Sequence, residues 1–411
     1  MLGNLNHKLK MGLSWTLISN GLIGGTNLIA QIWLARELGV KVIGDYATIV
    51  VGLELILLPV NFGFNQAVIK FNQDPLIHAG CLTLVTGQAL ATIGLSSCAW
   101  LLLSFFDSME PMGILLPGVL LVVARILNNY STLFYAPLES GLAYTYLAWV
   151  RIAALALSTS TAIALAVSGG GVYALVVRDF LSSLVILLMV LRRTRPPLTL
   201  TNNKGAIGRI LKYCLGVWLL NVLERAALRI DYAMVGTTLG RDSLGVYYQI
   251  RALIEGCTGF LVAPVQTVGF SFYNQVEEKT EIIRKTIQTR RTYLLTAALG
   301  AGVTLLISKP LVGALLGEKW IEGHVLLPSL VLYGMAILWY ENIKVISMAI
   351  ERQFATARAR VVQIGILILL YPVLLPKGGM AMAGVVTAGA SIALAVIATT
   401  TFRRGGKYSY A

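Results

Sequence analysis

Two stretches decide how this chain is built: LGVKVIGDY at 38–46 and LGRDSLGVY at 239–247. They lie 201 residues apart. The same offset lays Asn20 on Asn221, Leu38 on Leu239, Gly39 on Gly240, Gly44 on Gly245, Tyr46 on Tyr247 and Glu54 on Glu255. Each stretch joins two long apolar runs, so the repeat marks one junction met twice. Halves that each hold an even number of membrane spans keep the same orientation, which predicts that they are related by an axis along the membrane normal.

Outward from these junctions, apolar runs cover 11–35, 42–66, 78–104, 112–134, 141–167, 171–191, 210–236, 244–272, 291–316, 323–349, 359–376 and 380–402. A span needs about 20 apolar residues, and only the eleventh run, short and carrying Pro372, is marginal. Hydrophobic residues make up 56% of the chain and charged residues 13%, with a mean hydropathy of +0.75. Soluble domains carry roughly 25% charge. The expected fold is therefore an all-α polytopic membrane protein of about twelve transmembrane helices. They form two six-helix bundles related by pseudo-two-fold symmetry along the membrane normal, residues 1–191 and 210–411, joined by a basic cytoplasmic linker at 192–209.

The net charge of +14 would point to nucleic acid in a soluble protein, but its placement argues for no nucleic-acid partner. With the N-terminus inside and twelve spans, 20 of the 33 Lys and Arg fall on the cytoplasmic side. Five (Arg36, Lys41, Arg241, Lys319, Lys377) fall outside and eight within spans. That asymmetry places both termini in the cytoplasm. It also supports the eleventh span, since removing it would move Arg403 and Arg404 outside. The first run is too long for a signal-peptide core and ends in Ala35-Arg36-Glu37 without a small-residue cleavage pattern. Cys81, Cys98, Cys214 and Cys257 sit in apolar runs as small core residues, and His7, His78 and His324 form no ligand spacing, so no metal site is expected.

The chemistry concentrates in WLLNVLERAALRIDY, residues 218–232. At 100° per residue, Trp218, Asn221, Arg225, Arg229 and Tyr232 share an arc of about 80°. Glu224 and Asp231 share an adjoining face, and Arg225 falls near the bilayer midplane. Arg125 shares a face with Asn128, Asn129 and Thr132, and Arg151 one with Tyr144 and Ser158. Arg178 and Arg251 lie about a third of the way into their spans. Polar stripes recur at Asn20, Asn27, Gln31 and at Glu54, Asn61, Asn65. Each arginine facing lipid at midplane would cost roughly 3 kcal/mol, so all six must face protein or water. Two readings stand side by side: pairing with Glu54, Asp179, Glu224, Asp231, Glu255 or Glu341, or lining a shared cavity for an anion, since guanidinium forks suit phosphate. Glu54 and Glu255 occupy equivalent places and, with Asp231, are candidates either for counter-ions or for H+ or Na+ coupling. Pro59, Pro264 and the pair Gly24-Gly25 are expected interruptions of their spans.

LARELGVKVIGDYA after the first run, RIDYAMVGTTLGRDSLGVYYQ in the second half and LLGEKW at 315–320 resemble the polysaccharide flippases of the multidrug/oligosaccharidyl-lipid/polysaccharide exporter superfamily. The likeness follows the whole chain in order. It implies a non-enzymatic, cofactor-free transporter of the bacterial inner membrane. Such a protein carries undecaprenyl-pyrophosphate-linked oligosaccharide from the cytoplasmic to the periplasmic leaflet by alternating access, with polysaccharide polymerase and chain-length machinery as further partners beside membrane lipid. Carried over by depth and face, Arg125, Arg151, Arg225, Arg229 and Arg251 would receive the pyrophosphate, while Asn20, Trp218, Asn221 and Tyr232 would contact the glycan. Rival readings are a small-molecule or anion exporter of the multidrug branch and an integral-membrane polymerase or glycosyltransferase. The short, nearly uncharged outer loops argue against an enzyme.

The charge count makes a direct prediction. Reporter fusions after Asn202 and after Arg404 should read cytoplasmic, and one after Lys319 periplasmic. A periplasmic signal at 202 would reverse the topology.

Overall fold

The computed structural model of the chain describes residues 2–71, 74–105, 111–141, 143–196, 198–264, 279–349 and 353–406. Among them the chain is helical throughout: α1 (Leu2–Ile56), α2 (Phe64–Lys70), α3 (Pro75–Phe105), α4 (Pro111–Ser140), α5 (Tyr144–Val167), α6 (Val172–Thr194), α7 (Lys204–Pro264), α8 (Lys279–Leu316), α9 (Leu327–Ala349) and α10 (Gln353–Gly406). Long helices are what lipid demands, because hydrocarbon leaves backbone N–H and C=O groups no partner but each other. Seven helices meet the length and hydropathy of a span directly, and two bent pairs do so together. Three are broken internally by glycines of positive φ: Gly39 (φ 76°) in α1, Gly240 (φ 85°) in α7 and Gly379 (φ 56°) in α10. Dividing the nine long helices at these three breaks yields twelve helical segments among the described residues. The marginal eleventh run is one of them, helical through Pro372 and Pro376. The chain is thus an all-helical, multi-pass membrane protein.

By contacts the residues group into two compact units, Met1–Ile23 with Ile49–Arg225, and Gly24–Thr48 with Ala226–Ala411. Helices α1 and α7 each contribute to both.

The first unit packs around a core that includes Phe64, Val68, Ile77, Leu82, Leu133, Phe134, Val190 and Ile210, with the free thiols of Cys81 and Cys214 buried in it. Its second span is not continuous. Helix α1 ends at Ile56, a 3₁₀ turn at Leu58–Val60 carries Pro59, and Gly63 (φ 68°, ψ 43°) starts α2, bending the path by 48°. Trp218 closes the break: its indole Nε1 donates 2.9 Å to the Pro59 carbonyl, and its ring stacks on Phe62 at 5.6 Å. The linker after α6 is strapped down by Thr83, whose hydroxyl donates to the Thr201 carbonyl (3.1 Å) and accepts from its N–H (3.0 Å). Asn203 Oδ1 then caps α7 by accepting from Gly205 and Ala206 N–H.

In the second unit the repeated junctions meet. A Cβ on Gly44 would lie 2.3 Å from the Arg241 carbonyl, and one on Gly245 would lie 2.5 Å from the Val40 carbonyl and 2.8 Å from Gly44 N. The contact is reciprocal under the 201-residue offset, and only glycine permits it on either side. Asp45 and Arg241 lie 3.7 Å apart beside it. The third stretch of the family likeness, at 315–320, touches the start of the first. Arg36 donates to the Ala314 and Leu315 carbonyls at the end of α8, capping it, while the buried Trp320 donates 3.1 Å to Ala35 O. Gly24-Gly25 differs from expectation: α1 runs unbroken through it. The missing side chains instead admit the Phe260 ring, 3.1 Å from where a Gly24 Cβ would stand.

Gly245→Val should destabilise the protein by about 1–3 kcal/mol, read as a lower Tm in detergent. Gly52→Ala, with nothing within 4 Å of its Cβ position, should stay within about 0.5 kcal/mol.

Candidate functional site

In the first unit a narrow cleft, about 30 Å³, opens where the broken span faces α3, α4 and α7. Glu54 comes from the last full turn of α1, Asn61 from the break, Gln88 and Thr92 from α3, Arg125 and Asn129 from α4, and Arg225 from α7. Leu57, Leu58 and Val60 complete the wall. Arg125 Nη2 donates to Glu54 Oε1 at 2.5 Å, with side chains 31% and 15% exposed. With its amide oxygen turned inward, Asn61 accepts from both terminal nitrogens of Arg225 at 2.8 and 3.2 Å. The break explains that contact: residue 61 has left the helix, so its side chain points where a regular turn would not send it. The lining carries two guanidiniums against one carboxylate, a net positive wall of fixed donors inside an apolar bundle. At an intermediate dielectric, a charge pair about 4 Å apart interacts by about 4 kcal/mol, enough to attract and orient an anion.

The second unit holds a more deeply buried charge cluster. Arg251 and Asp231, each 1% exposed, form an ion pair. Arg251 Nε donates 2.8 Å to Glu255 Oε1 and Nη2 donates 3.0 Å to the Tyr333 hydroxyl, which donates onward to Glu255 at 3.0 Å. Tyr247 OH donates 2.8 Å to Asp231 Oδ2. The Thr387 hydroxyl joins Tyr247 (2.7 Å) to Tyr371 (2.6 Å). The guanidinium lies 4.5 and 4.7 Å from the Tyr232 and Tyr333 ring centroids. One arginine thus serves two carboxylates, Asp231 sealed among tyrosines and Glu255 with its side chain 38% exposed at the edge, an arrangement that offsets the arginine's desolvation only while every partner stays in place.

A smaller network joins α9 to α10. Buried Arg360 lies 3.8 Å from Glu341 and 4.3 Å over the Tyr340 ring, and donates 2.8 Å to Gln363, which donates 3.1 Å to Ser391. Lys344 stands 3.6 Å from the same carboxylate. Charge counting treats Arg360 as a loop cation. It lies instead inside α10, where its spacing of three residues from Gln363 is the available signal.

The expected residues therefore separate. Glu54, Arg125 and Arg225 come together in the cleft. Asp231, Tyr232, Arg251 and Glu255 come together in the buried cage, with Arg229 5.5 Å over the Tyr232 ring. Trp218 is committed to Pro59 and Phe62, and Asn221 is half-buried on the same helix. Arg151 is exposed, 5.4 Å over the Tyr135 ring. Neither it nor Arg178 is among the cleft's lining residues. The side chains of Asn20 and His7 lie outside the described residues. Gln88, Thr92, Tyr333, Tyr371 and Thr387 escape sequence reasoning. Gln88 and Thr92 carry an i,i+4 signal, whereas Tyr371 and Thr387 meet only because the chain folds back at Gly379.

These features define a multi-pass membrane protein with charged sites built inside apolar helix bundles. The family model for polysaccharide biosynthesis proteins matches residues 33–324, and the chain belongs to that family. Similar solved structures include a lipid II flippase, MurJ, in an inward closed conformation (12% identity, TM-score 0.75, covering 95% of this chain and 87% of that one). They also include an inward-facing multidrug resistance MATE family transporter of the MOP superfamily (15%, 0.58, 96% and 100%), and a MOP superfamily transporter from Pyrococcus furiosus (13%, 0.58, 96% and 94%). At these identities the likeness is one of fold. No curated protein matches the sequence.

Removing one member of the buried cage should expose its character. Arg251→Met should cost about 3–5 kcal/mol, seen as lost monodisperse protein and lower Tm. Adding Asp231→Asn should recover part of that loss by removing the stranded carboxylate.

Proposed function

We propose that this chain is a flippase that moves undecaprenyl-pyrophosphate-linked oligosaccharide units from the cytoplasmic to the periplasmic leaflet of a bacterial inner membrane by alternating access. Both termini lie in the cytoplasm, and the units are delivered to polysaccharide polymerase and chain-length machinery. The observation that carries this reading is the cleft of the first unit, with Arg125 and Arg225 against a single carboxylate. Membership of a polysaccharide biosynthesis family supports a glycan as the cargo. Moving a pyrophosphate unaided through about 30 Å of hydrocarbon would cost tens of kcal/mol. A guanidinium-lined cleft replaces its water with fixed donors while the isoprenoid tail stays in lipid.

Arg125 and Arg225 take the pyrophosphate, and Asn61, Gln88 and Asn129 offer hydrogen bonds to its first sugar. Substrate reaching Arg125 competes with Glu54 for the same guanidinium, and we place the H+ or Na+ linkage of transport on that carboxylate. Asp231 and Glu255, held by Arg251, are assigned to the scaffold. A multidrug exporter of the same fold is the alternative, but a net positive lining disfavours cationic drugs.

Arg225→Ala and Arg125→Ala should each lower surface glycan about tenfold or more with unchanged protein in the membrane, and lipid-linked oligosaccharide should accumulate on the cytoplasmic leaflet. Normal surface glycan accompanied by drug sensitivity would overturn the reading.

A further inference from the structure

A second cavity in the first unit, about 280 Å³, belongs to neither charged site. It lies where the start of α3, the end of α4 and the linker after α6 come together. Its walls are almost wholly apolar, with Val68, Ala79, Leu82, Leu133, Phe134 and Pro137 prominent. Of its polar groups, His78 lies in the first turn of α3, Thr194 ends α6, and Thr199 belongs to the linker. Apolar cavities stay dry, so a space of this kind is filled by an apolar molecule or not at all.

The linker that borders it is basic and preorganised. Residues 192–212 carry Arg192, Arg193, Arg195, Lys204, Arg209 and Lys212 and no carboxylate. Arg209 is answered by Asp74 at 2.9 Å. Desolvation pushes the Asp74 carboxyl up, but the Arg209 hydrogen bond and the Leu76 and Ile77 N–H groups outweigh it and hold it below the usual carboxylate range. Arg193, its guanidinium 5.8 Å from the Tyr146 ring centroid, and Arg195 are both exposed, and they adjoin in sequence Thr194 and Pro196, which line the cavity. Arg195 holds a left-handed backbone (φ 41°) and its N–H closes α6 onto the Leu191 carbonyl at 2.9 Å. Leu198 and Leu200 are 70% and 62% exposed on a strap pinned by Thr201. A fixed strap with outward leucines between arginines has the composition of a segment seated at a lipid headgroup boundary.

We infer that this cavity is a binding site for an anionic membrane phospholipid, its acyl chain among Leu82, Leu133 and Phe134 and its phosphate against Arg193 and Arg195. The argument is charge complementarity: an apolar chamber bordered by a linker rich in arginine and free of carboxylates selects a negatively charged amphiphile over a zwitterionic one. The inference rests on the membrane character of the chain and not on its cargo.

The test uses the purified full chain and native mass spectrometry, with phosphatidylglycerol, phosphatidylcholine of the same acyl chains, and polyprenyl phosphate offered separately. Phosphatidylglycerol should be retained at least tenfold better than phosphatidylcholine. Arg193→Gln combined with Arg195→Asn, the latter tolerating the left-handed backbone, should abolish that preference. Because both positions are exposed, folding should be untouched. Ala79→Phe should block retention of every lipid at this site with a normal elution profile. Equal retention of the two phospholipids, or a preference that survives the double variant, overturns the inference. Retention of polyprenyl phosphate but not phosphatidylglycerol also overturns it and assigns the chamber to a polyprenyl chain. Surface glycan production with the Arg225 variant reads the flipping proposal separately.

Discussion

A guanidinium inside a hydrocarbon bundle must be answered by a partner on another turn or another helix, and that requirement determines which helices of this protein come together. Apolar contacts alone do little of this work, because lipid tails are as apolar as leucine and give helices no hydrophobic reason to associate. Arg125 draws α4 onto the end of α1 through Glu54. Arg251 draws α9 onto α7 through Tyr333, and the Tyr247–Thr387–Tyr371 hydroxyl chain adds both halves of α10. Arg360 and Glu341 tie α9 to α10 a second time. Each link is polar, directional and made once, so it specifies register where leucine against leucine would not.

The same accounting governs the backbone. Where a helix is broken, the freed carbonyls must be claimed, and the claimants are long side chains with N–H groups: Trp218 on Pro59, Arg36 on Ala314 and Leu315, Trp320 on Ala35. In this way LARELG and LLGEKW, far apart in sequence, are joined. One supplies the arginine that the other's helix end requires. The glycine breaks at 39 and 240 share nearly the same dihedrals because they are the same junction in two copies.

Much of this was legible before any coordinates. Uninterrupted apolar runs can only be spans, and a shared offset in asparagine, glycine, tyrosine and glutamate is hard to read as anything but duplication. Helical periodicity also places Arg225, Arg125 and Glu54 on polar faces at similar depth. What periodicity cannot say is which face of another helix stands opposite. Arg251 and Arg225 are both intramembrane arginines with a carboxylate close in sequence, yet one is sealed among tyrosines and the other opens into a cleft. The partners that decide this, Tyr333 and Asn61, are 82 and 164 residues away. Gly24-Gly25 misleads for the same reason, since composition cannot separate a glycine that bends a helix from one that admits a neighbour's ring. Arg360 is misplaced because charge counting assigns residues near a span's end to the loop.

Duplication left Glu54 and Glu255 at equivalent positions, but their partners diverged in a way that separates their roles. Glu255 is paired with Arg251, one turn earlier on its own helix, so the pair moves as a unit however the bundle rearranges. Glu54 is paired with Arg125 on a different helix, across a cleft, so any shift of α4 against the end of α1 changes that distance. An i,i+4 pair cannot report on helix motion; an interhelical pair does little else. On the transport role proposed above, the second kind belongs at the binding site and the first kind in the frame. The chain has the interhelical pair at the cleft and the i,i+4 pair beside the buried Arg251–Asp231 contact.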